Sequence, residues 1–510
     1  MRIRSLIPYA LVVLALVVPV AAQQQRATGI GGADAFGNTP LHKAVEAGDL
    51  AEVQRLIAAK ADVNATNRFR TTPLATAATR GDAAMVSALL RGGADPNSTR
   101  GEGEPVLLSA ARSGNVETVR ALLESGADIA ARDRFYGQTA IMWAAIENHP
   151  AVIAELASRG ADVNARAHIL EGEPAWRYGR DSRNGINGEA LQNFNTNFSK
   201  GGLTPLMYAA RQGATDAARM LLDNGASPAT TDPDGYSALH IAIMNAQLDT
   251  AAALVEKGAD VNQADRSGQT PLFALVDMRS LLWTYNRPTP RSQNTLSSLQ
   301  LAELLLARRA TVDAKLTGAA RRPLGGGGHP LTGRGATPFL RAAVTSDLAM
   351  MRLLLDKGAD PKITTPAGHN ALHAAAGLRW SETTMSTAVS KGYATEEDSI
   401  AAITLLLEKG LDVNAADNTG ATAMHGAAER GANSIIRFLV ARGGRLDVTT
   451  KPSVRQTNVD NEPPLNIAGQ TPFDAALDSD PPQAETAALI RQLMGLPPQT
   501  DEERGFRRTR

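Results

Sequence analysis

The chain has 510 residues, in which 52 Lys and Arg balance 52 Asp and Glu, so its formal net charge is zero. A neutral chain has no broad basic field, and this argues against nucleic acid or an anionic membrane as the partner. Cysteine is absent, which excludes disulfides, thiolate metal sites and a cysteine nucleophile.

The N-terminal residues follow the order of a secretory signal peptide. Arg2 and Arg4 precede an apolar stretch at about 10–20, and small residues at 20–22 end it before Gln23. We therefore expect cleavage after residue 22 and a periplasmic or extracellular chain. The alternative is an uncleaved anchor, although the stretch is shorter than the ~20 residues that span a bilayer. No other segment is apolar enough to predict a membrane span.

A segment that reads D-x-x-G-x-T-P-L-H-x-A recurs along most of the chain. The distance from Thr39 to Thr72 is 33 positions, and the same distance separates Thr204 from Ser237. Further copies begin at Thr270, Thr337, Asn370 and Thr422. A fixed period of this length is typical of solenoids, in which each unit buries its apolar face on its neighbours. The pattern favours a binding surface over a catalytic pocket.

The first unit shows how each repeat folds. Thr39 suits an N-cap and Pro40 the first helical position, while Gly48 suits the end of that helix. A second helix is predicted over about 50–59, and residues 60–64 lead out as an extended arm. Every repeat is therefore expected to be a helix, a turn, a second helix and an arm.

The period, the T-P-L-H start, the apolar second helix and the G-A-D-x-N exit resemble ankyrin repeats. The resemblance implies an all-α solenoid of stacked helix-turn-helix units with short β-hairpin fingers. It also implies that partners dock on fingers and first helices. We expect an exported, bacterial-type member with about eleven repeats and several insertions. The predicted repeats begin near residues 34, 67, 101, 134, 202, 235, 268, 335, 368, 420 and 469.

The predicted organisation places a linker at 23–33 between the signal peptide and the repeats. Repeats 1–4 occupy 34–167, repeats 5–7 occupy 202–315, and repeats 8–11 occupy 335–494. The stretches that depart from the template are an aromatic insertion at 168–201, one at 278–298, a Gly-rich one at 316–334, and two at 378–399 and 451–468. A charged tail at 495–510 is predicted to be disordered.

Three of the four tryptophans fall in these insertions, whereas Trp143 lies in an ordinary first helix. Tryptophan and tyrosine are enriched at interface hot spots, so the insertions are candidate partner contacts. The alternative is that these rings fold back over their own loops. The candidate residues are Trp176, Tyr178, Trp283, Tyr285, Trp380 and Tyr393.

The fingertips form a second candidate surface, because several of them carry an aromatic residue flanked by arginine. The alternative is that these rings pack on neighbouring fingers. The candidate residues are Arg68, Phe69, Arg70, Arg134, Phe135, Tyr136 and Tyr236.

Signatures of catalysis are not found: no G-x-S-x-G, H-E-x-x-H or G-x-G-x-x-G element is present. His42, His240, His373 and His425 occupy the T-P-L-H position, where the resemblance implies hydrogen bonds between neighbouring repeats. His369 and His373 have a spacing that can bind zinc on a helix, but His369 is predicted to precede the helix. No catalytic residue, metal or cofactor is expected.

The sequence thus predicts a noncatalytic protein–protein interaction module or scaffold, exported to the cell envelope and monomeric. Its partner is expected to be a protein, bound through fingers, first helices and aromatic insertions. The alternative is an envelope enzyme or glycan-binding protein, in which Trp176, Trp283 and Trp380 stack on sugar rings.

Overall fold

The computed structural model describes residues 32–169, 201–279, 294–318, 331, 333–378, 395–455, 465–479 and 482–498. The chain divides into unit 1, which ends at Asp162, and unit 2, which begins at Val163. The predicted signal peptide lies outside the described residues, as do the core of each insertion and most of the tail. No helix in the described ranges is long and apolar enough to cross a membrane.

The described part of unit 1 contains eight helices in four consecutive pairs and one short hairpin. They are α1 (Pro40–Ala47), α2 (Leu50–Ala58), α3 (Pro73–Arg80), α4 (Ala83–Arg91), β1 (Thr99–Arg100), β2 (Glu104–Pro105), α5 (Val106–Ser113), α6 (Val116–Glu124), α7 (Ala140–Ile146) and α8 (Pro150–Ser158).

The described part of unit 2 contains fourteen helices in seven pairs and a second hairpin. The helices are α9 (Pro205–Gln212), α10 (Thr215–Asp223), α11 (Ala238–Met244), α12 (Leu248–Glu256), α13 (Pro271–Arg279), α14 (Ser298–Ala307), α15 (Pro338–Val344), α16 (Leu348–Asp356), α17 (Ala371–Ala376), α18 (Glu396–Glu408), α19 (Ala423–Glu429), α20 (Asn433–Ala441), α21 (Pro472–Asp478) and α22 (Ala484–Leu493). The strands are β3 (Ser453–Arg455) and β4 (Leu465–Ile467).

The predicted helix boundaries of the first repeat are confirmed. The Thr39 side chain accepts a hydrogen bond from the His42 amide, and Pro40 is the first helical residue. Gly48 ends α1 with a φ of 73°, in the left-handed region that glycine adopts readily. Asp49 then caps α2 by accepting from the Glu52 amide. A polar cap on each helix lets two short helices follow each other within one turn.

Packing proceeds from each helix pair to the next. Within each unit, every first helix contacts the first helix of the following pair. Leu41 of α1 and Leu74 of α3 are both 1% exposed, and Ala75 and Ala110 are completely buried. Small alanine side chains allow the helices to approach closely, and each large apolar side chain contributes about 1.5–3 kcal/mol when buried. The core is therefore a continuous layer within each unit.

Asparagines in the exit arms link successive repeats through backbone groups. Asn64 Nδ2 donates to the Gly93 carbonyl at 3.1 Å, and its Oδ1 accepts from the Asp95 amide at 2.8 Å. The same pair of bonds is made in unit 1 by Asn97, and in unit 2 by Asn164, Asn262 and Asn414. We call this set the asparagine ladder.

Two predicted insertion boundaries need correction, because helices continue into the stretches, and a third stretch contains strands. Helix α13 extends through Arg279, and α18 begins at Glu396 rather than after residue 399. The α18 start has a physical cause: Thr395 and Asp398 form a capping box, and acidic residues fill the first turn. The stretch at 451–468 contributes β3 and β4, which pair antiparallel.

Candidate functional site

The fingers between helix pairs are turns held by their own first side chain. We define finger 1 (34–38), finger 2 (67–71), finger 3 (99–105) and finger 4 (133–138). Asp34 Oδ1 accepts from the amides of residues 36 and 38, both at 2.9 Å. Asn67 makes the equivalent bonds in finger 2, and Asp133 in finger 4. Because the side chain satisfies the turn's amides, the tip residue between them is free to face solvent.

Aromatic rings occupy these tips in unit 1. Phe36, Phe69, Phe135 and Tyr136 are 58%, 62%, 54% and 57% exposed. They are the exposed large aromatic side chains of the described residues. Phe36 and Phe69 stack at 6.4 Å between ring centroids. The equivalent tips of unit 2 carry small or polar residues, such as Ser267 and Thr419. Among the described fingers, exposed aromatic tips therefore occur in unit 1.

Finger 3 differs from several other fingers in its links to its neighbours. In those cases a backbone amide bonds the neighbouring finger, as from Arg68 to the Phe36 carbonyl at 2.9 Å and from Asn418 to the Ala367 carbonyl at 3.0 Å. Among the described residues, no such bond joins finger 3 to finger 2 or to finger 4. Finger 3 instead forms the β1–β2 hairpin.

A groove opens at this place, which we call the fingertip groove. Its volume is about 460 Å³. The residues that line it are Phe69, Thr71, Arg100, Gly101, Glu102, Glu104, Asp133, Arg134, Phe135, Tyr136, Gln138 and Trp143. The groove therefore lies between fingers 2, 3 and 4 and helix α7, which is the first helix of its pair.

Charged groups fix the floor of the fingertip groove. Glu104 accepts from Arg100 Nε at 2.9 Å and from Ser109 Oγ at 3.0 Å, and it lies 3.4 Å from Arg112 Nη2. The Arg112 guanidinium lies 5.0 Å from the centre of the Trp143 ring, a cation–π contact. Glu104 thus joins Arg100 to Arg112, and Arg112 covers the Trp143 ring, so this part of the surface is ordered before a partner binds.

The structure brings together four of the predicted partner residues, since Phe69, Arg134, Phe135 and Tyr136 all line the groove. Arg68 and Arg70 are exposed on finger 2. Tyr236 needs correction: it is 6% exposed, and its ring packs against His240. Tyr236 is therefore buried against its own repeat, and the prediction that it is an exposed partner contact is wrong. The six insertion candidates, Trp176, Tyr178, Trp283, Tyr285, Trp380 and Tyr393, lie outside the described residues.

Sequence reasoning missed Arg100, Glu104 and Trp143 as members of the groove. The signal for Glu104 was present, because Glu104-Pro105-Val106-Leu107 replaces T-P-L-H in the third repeat. Pro105 is the N-cap residue of α5 and makes no side-chain hydrogen bond to it. The residue before it, Glu104, binds two arginines. Trp143 gave no such signal, because its position in a helix does not show whether neighbouring elements cover that face of the helix.

A second cavity, of about 430 Å³, lies in unit 2 between α11, α13 and α14. Its cation, Arg279, donates to Ser298 Oγ at 2.7 Å and is paired with Asp347. Among the described residues, no aromatic side chain lines this cavity. With its charges already paired inside the protein, this cavity is the weaker candidate.

The T-P-L-H histidines have the role that the resemblance implies. The Nε2 atoms of His42, His240, His373 and His425 lie 2.9–3.0 Å from backbone carbonyls of the following finger. Burial lowers the pKa of His240 and His425, and it lowers the pKa of His373 to about 4. His240, His373 and His425 are therefore neutral, and all four histidines are structural links between repeats.

His369 precedes α17, as predicted, and pairs with a carboxylate. Its Nε2 lies 3.1 Å from Asp417 Oδ2, and both side chains are buried. Burial opposes ionisation of Asp417, but hydrogen bonds from His369, Thr419 and the Ala421 amide hold the pKa of that carboxyl well below its usual range. The pair connects two neighbouring fingers of unit 2.

A family model described as ankyrin repeats (three copies) matches residues 12–100, 76–167, 183–265 and 206–281, which together cover half of the chain. The chain belongs to the ankyrin repeat family. The predicted all-α fold class is thereby confirmed within each unit, and the ankyrin repeat is a protein-interaction fold.

Two relatives show how far the similarity extends. Human ankyrin repeat and SOCS box protein 16 is 29% identical over 292 residues, which are 57% of this chain and 51% of that protein. Ankyrin repeat-containing protein P1E11.10 of Schizosaccharomyces pombe is 37% identical over 95 residues, which are 18% of this chain and 46% of that protein. The chain thus spans about half the length of these relatives.

Two solved structures are similar over 53% of this chain and 98% of theirs. The ankyrin repeat domain of Bcl-3 is 24% identical, with a TM-score of 0.38. The ankyrin repeat domain of human ASB11 is 23% identical, also with a TM-score of 0.38. The family assignment depends on the family model and not on these structures.

Proposed function

We propose that this ankyrin repeat chain is a noncatalytic interaction module whose fingertip groove binds a protein partner. The observation that carries the proposal is the meeting of four large rings, Phe69, Phe135, Tyr136 and Trp143, around one groove. Aromatic rings supply much contact area at a small cost in conformational entropy. Fingers and first helices both contribute, as the resemblance implied.

The fixed polar floor supports the same proposal. Arg100 and Arg112 already bind Glu104 in the free protein. Binding of a partner therefore costs little conformational entropy for these three side chains. Preorganised surfaces lose less affinity to that cost. The exposed rings then supply the contact, while the half-buried network orders the floor between them.

The test is affinity capture with the chain from Gln23 onward, followed by titration of the captured protein. We expect Phe69→Ala with Phe135→Ala to weaken binding at least about tenfold, since interface aromatics contribute about 2 kcal/mol each at hot spots. Ile169→Ala is the control, because Ile169 is 50% exposed in unit 2. Equal affinities of the double variant and the control would refute the groove as the binding site.

We also propose that residues 1–22 direct export and that each of the helix pairs is one repeat. The charged and apolar order of the N-terminal residues supports the first point. Mass spectrometry of the chain from the envelope or medium tests it, with an N-terminus at Gln23 expected and an intact Met1 contradicting it. The two relatives described above are eukaryotic, so the bacterial type stays a prediction.

A further inference from the structure

We infer that the last repeats of unit 2 form an acid-sensitive device: on acidification the repeats that His373 and His425 join open locally, while helix α7 and the fingertip groove stay folded. This inference concerns regulation and goes beyond the proposed function. It follows from the hydrogen bonds that each of these imidazoles makes and from the groups that take the same position in other repeats.

The His373 imidazole is held in one neutral tautomer. Its Nδ1 accepts a hydrogen bond from the Asn370 amide at 3.1 Å, and its Nε2 lies 3.0 Å from the Ala415 carbonyl, which can only accept. A neutral ring with its proton on Nε2 satisfies both partners. A second proton, on Nδ1, faces the Asn370 N–H, so two donors meet and the cap of α17 loses a bond. Protonation therefore weakens the link from α17 to the arm that precedes α19.

His425 makes the next link along the chain in the same way. Its Nδ1 accepts from the Thr422 amide at 3.1 Å, and its Nε2 lies 3.0 Å from the Gln470 carbonyl, just before α21. His42 and His240 make such links at single repeats, whereas those of His373 and His425 are consecutive. Because each repeat is stabilised by its neighbours, weakening two consecutive links favours local opening of this part of the chain.

Carboxylates face both rings but do not reverse the effect of burial. Asp417 and His369 face His373, and Asp417 and Asp474 face His425. The carboxylates favour the imidazolium, whereas burial opposes it and has the largest effect on both rings. The pKa of His425 is therefore lowered, and the pKa of His373 is lowered to about 4. A histidine in an open segment has a pKa of ~6.5. The open state thus binds more protons between these values, and acid favours opening.

The same helical position carries groups other than imidazole elsewhere in the chain. At α7 the Thr139 amide donates to Met142 Sδ at 3.5 Å, and at α14 the Ser297 amide donates to Gln300 Oε1 at 2.8 Å. A thioether and an amide do not titrate, so these caps do not change with pH. Helix α7 also carries Trp143 of the fingertip groove. Acidification therefore alters the last repeats of unit 2 and spares the groove.

Hydrogen–deuterium exchange of the full chain at pH 7 and pH 5, with labelling times scaled for the intrinsic exchange rate, tests the inference. We expect the backbone protection of α17 and α19 to fall at least about tenfold, since a shift of the His373 pKa from ~6.5 to about 4 alone accounts for roughly twentyfold. Protection of α7 is expected to change far less. An equal loss in α7, or no loss in α17 and α19, would overturn the inference.

His373→Gln with His425→Gln separates protonation of the links from other effects of acid. Gln300 shows that glutamine makes this cap in the same chain. We expect the ratio of protection at pH 7 to protection at pH 5 to approach one in α17 and α19, whatever the protection at pH 7. His42→Gln is the matched control in unit 1 and should leave the acid response of α17 and α19 unchanged.

An acid response that persists in the double variant contradicts the inference. If the double variant does not fold at pH 7, each single variant gives the same comparison for its own link.

Discussion

The difference between an amide and a carboxylate side chain is visible in the arm that links the seventh helix pair to the eighth. Asp313 takes the ladder position that asparagine occupies elsewhere, and it accepts from the Asp360 amide at 3.1 Å. A carboxylate has no N–H to donate to the next carbonyl. Burial raises the pKa of Asp313, and the nearby Asp360 carboxylate acts in the same direction. This rung is therefore weaker than the five that asparagine makes.

Asp313→Asn is expected to stabilise unit 2 by about 1 kcal/mol, the usual net gain from one hydrogen bond. The new amide can donate to the Gly358 carbonyl, as Asn262 does to Arg309. Urea unfolding measures the change. Asn262→Asp is the matched control and should lose a similar amount; a variant at 313 that is no more stable than the parent would show that the rung carries no energy.

A buried ion pair links helix α13 to helix α15. Arg341 Nε lies 2.5 Å from Asp277 Oδ1, and their side chains are 4% and 2% exposed. A pair this deep stabilises little by its presence, but the loss of one partner leaves a charge buried.

We expect Asp277→Ala to cost about 3–5 kcal/mol, because the Arg341 guanidinium is left behind in the core. Asp277→Leu with Arg341→Met should recover most of this loss, since it removes both charges and keeps the volume. Denaturant midpoints of the three proteins decide the point. A double variant as unstable as Asp277→Ala would mean that the pair itself, and not an orphaned charge, supports the helices.

Backbone hydrogen bonds join the two ends of the insertion at 168–201. Ala167 N donates to the Leu203 carbonyl and Gly202 N to the His168 carbonyl, both at 3.0 Å. The two ends are thus already joined across the backbone before residue 170 and after residue 200.

Deletion of 174–197 is therefore expected to leave helical content and the melting midpoint nearly unchanged, since loop closure depends weakly on length. Circular dichroism measures both, and titration with a captured partner shows whether the aromatic insertion contributes contacts. Loss of helical signal in the deletion variant would mean that the insertion is structural.

Local chemistry explains how much could be predicted from the sequence. Caps such as Thr39 and Gly48 act within one turn, so the helices and the repeat were predictable. The fingertip rings were also predictable as a surface, because Phe69 and Phe135 recur at a fixed offset. The groove itself was not, since it depends on the missing bonds around finger 3 and on the contact between Arg112 and the Trp143 ring of the next repeat. The prediction for Tyr236 was wrong because its ring packs on His240 of the same repeat, a tertiary contact that the repeat pattern does not specify.

At the scale of the whole molecule, stability depends on links that each repeat makes to the next. The buried histidines are such links, and they carry a pH dependence. The pKa of His373 is about 4 in the folded state, against ~6.5 in an unfolded chain. The unfolded state binds more protons between these values, so stability falls as pH decreases through this window.

We expect unit 2 to lose on the order of 3 kcal/mol between pH ~6.5 and ~4 from His373 alone. Asp417 adds a loss below pH ~4, because its lowered pKa stabilises the fold only above the unfolded value. Urea midpoints across this range measure the effect. His373→Gln, which keeps a capping residue at that position, should flatten the profile, and parallel profiles for both proteins would contradict the assignment.

The asparagine ladder has a consequence for how such a chain can grow. Each rung reads only main-chain atoms of the adjoining repeat, so it does not depend on which side chains that repeat carries. A repeat that is duplicated or moved within the chain can form the same two hydrogen bonds with its new neighbour. Its fingertip residues can then change without loss of these bonds. The bonds between repeats are the same from one repeat to the next, whereas the fingertip residues differ. The partner specificity of the protein can therefore change one repeat at a time.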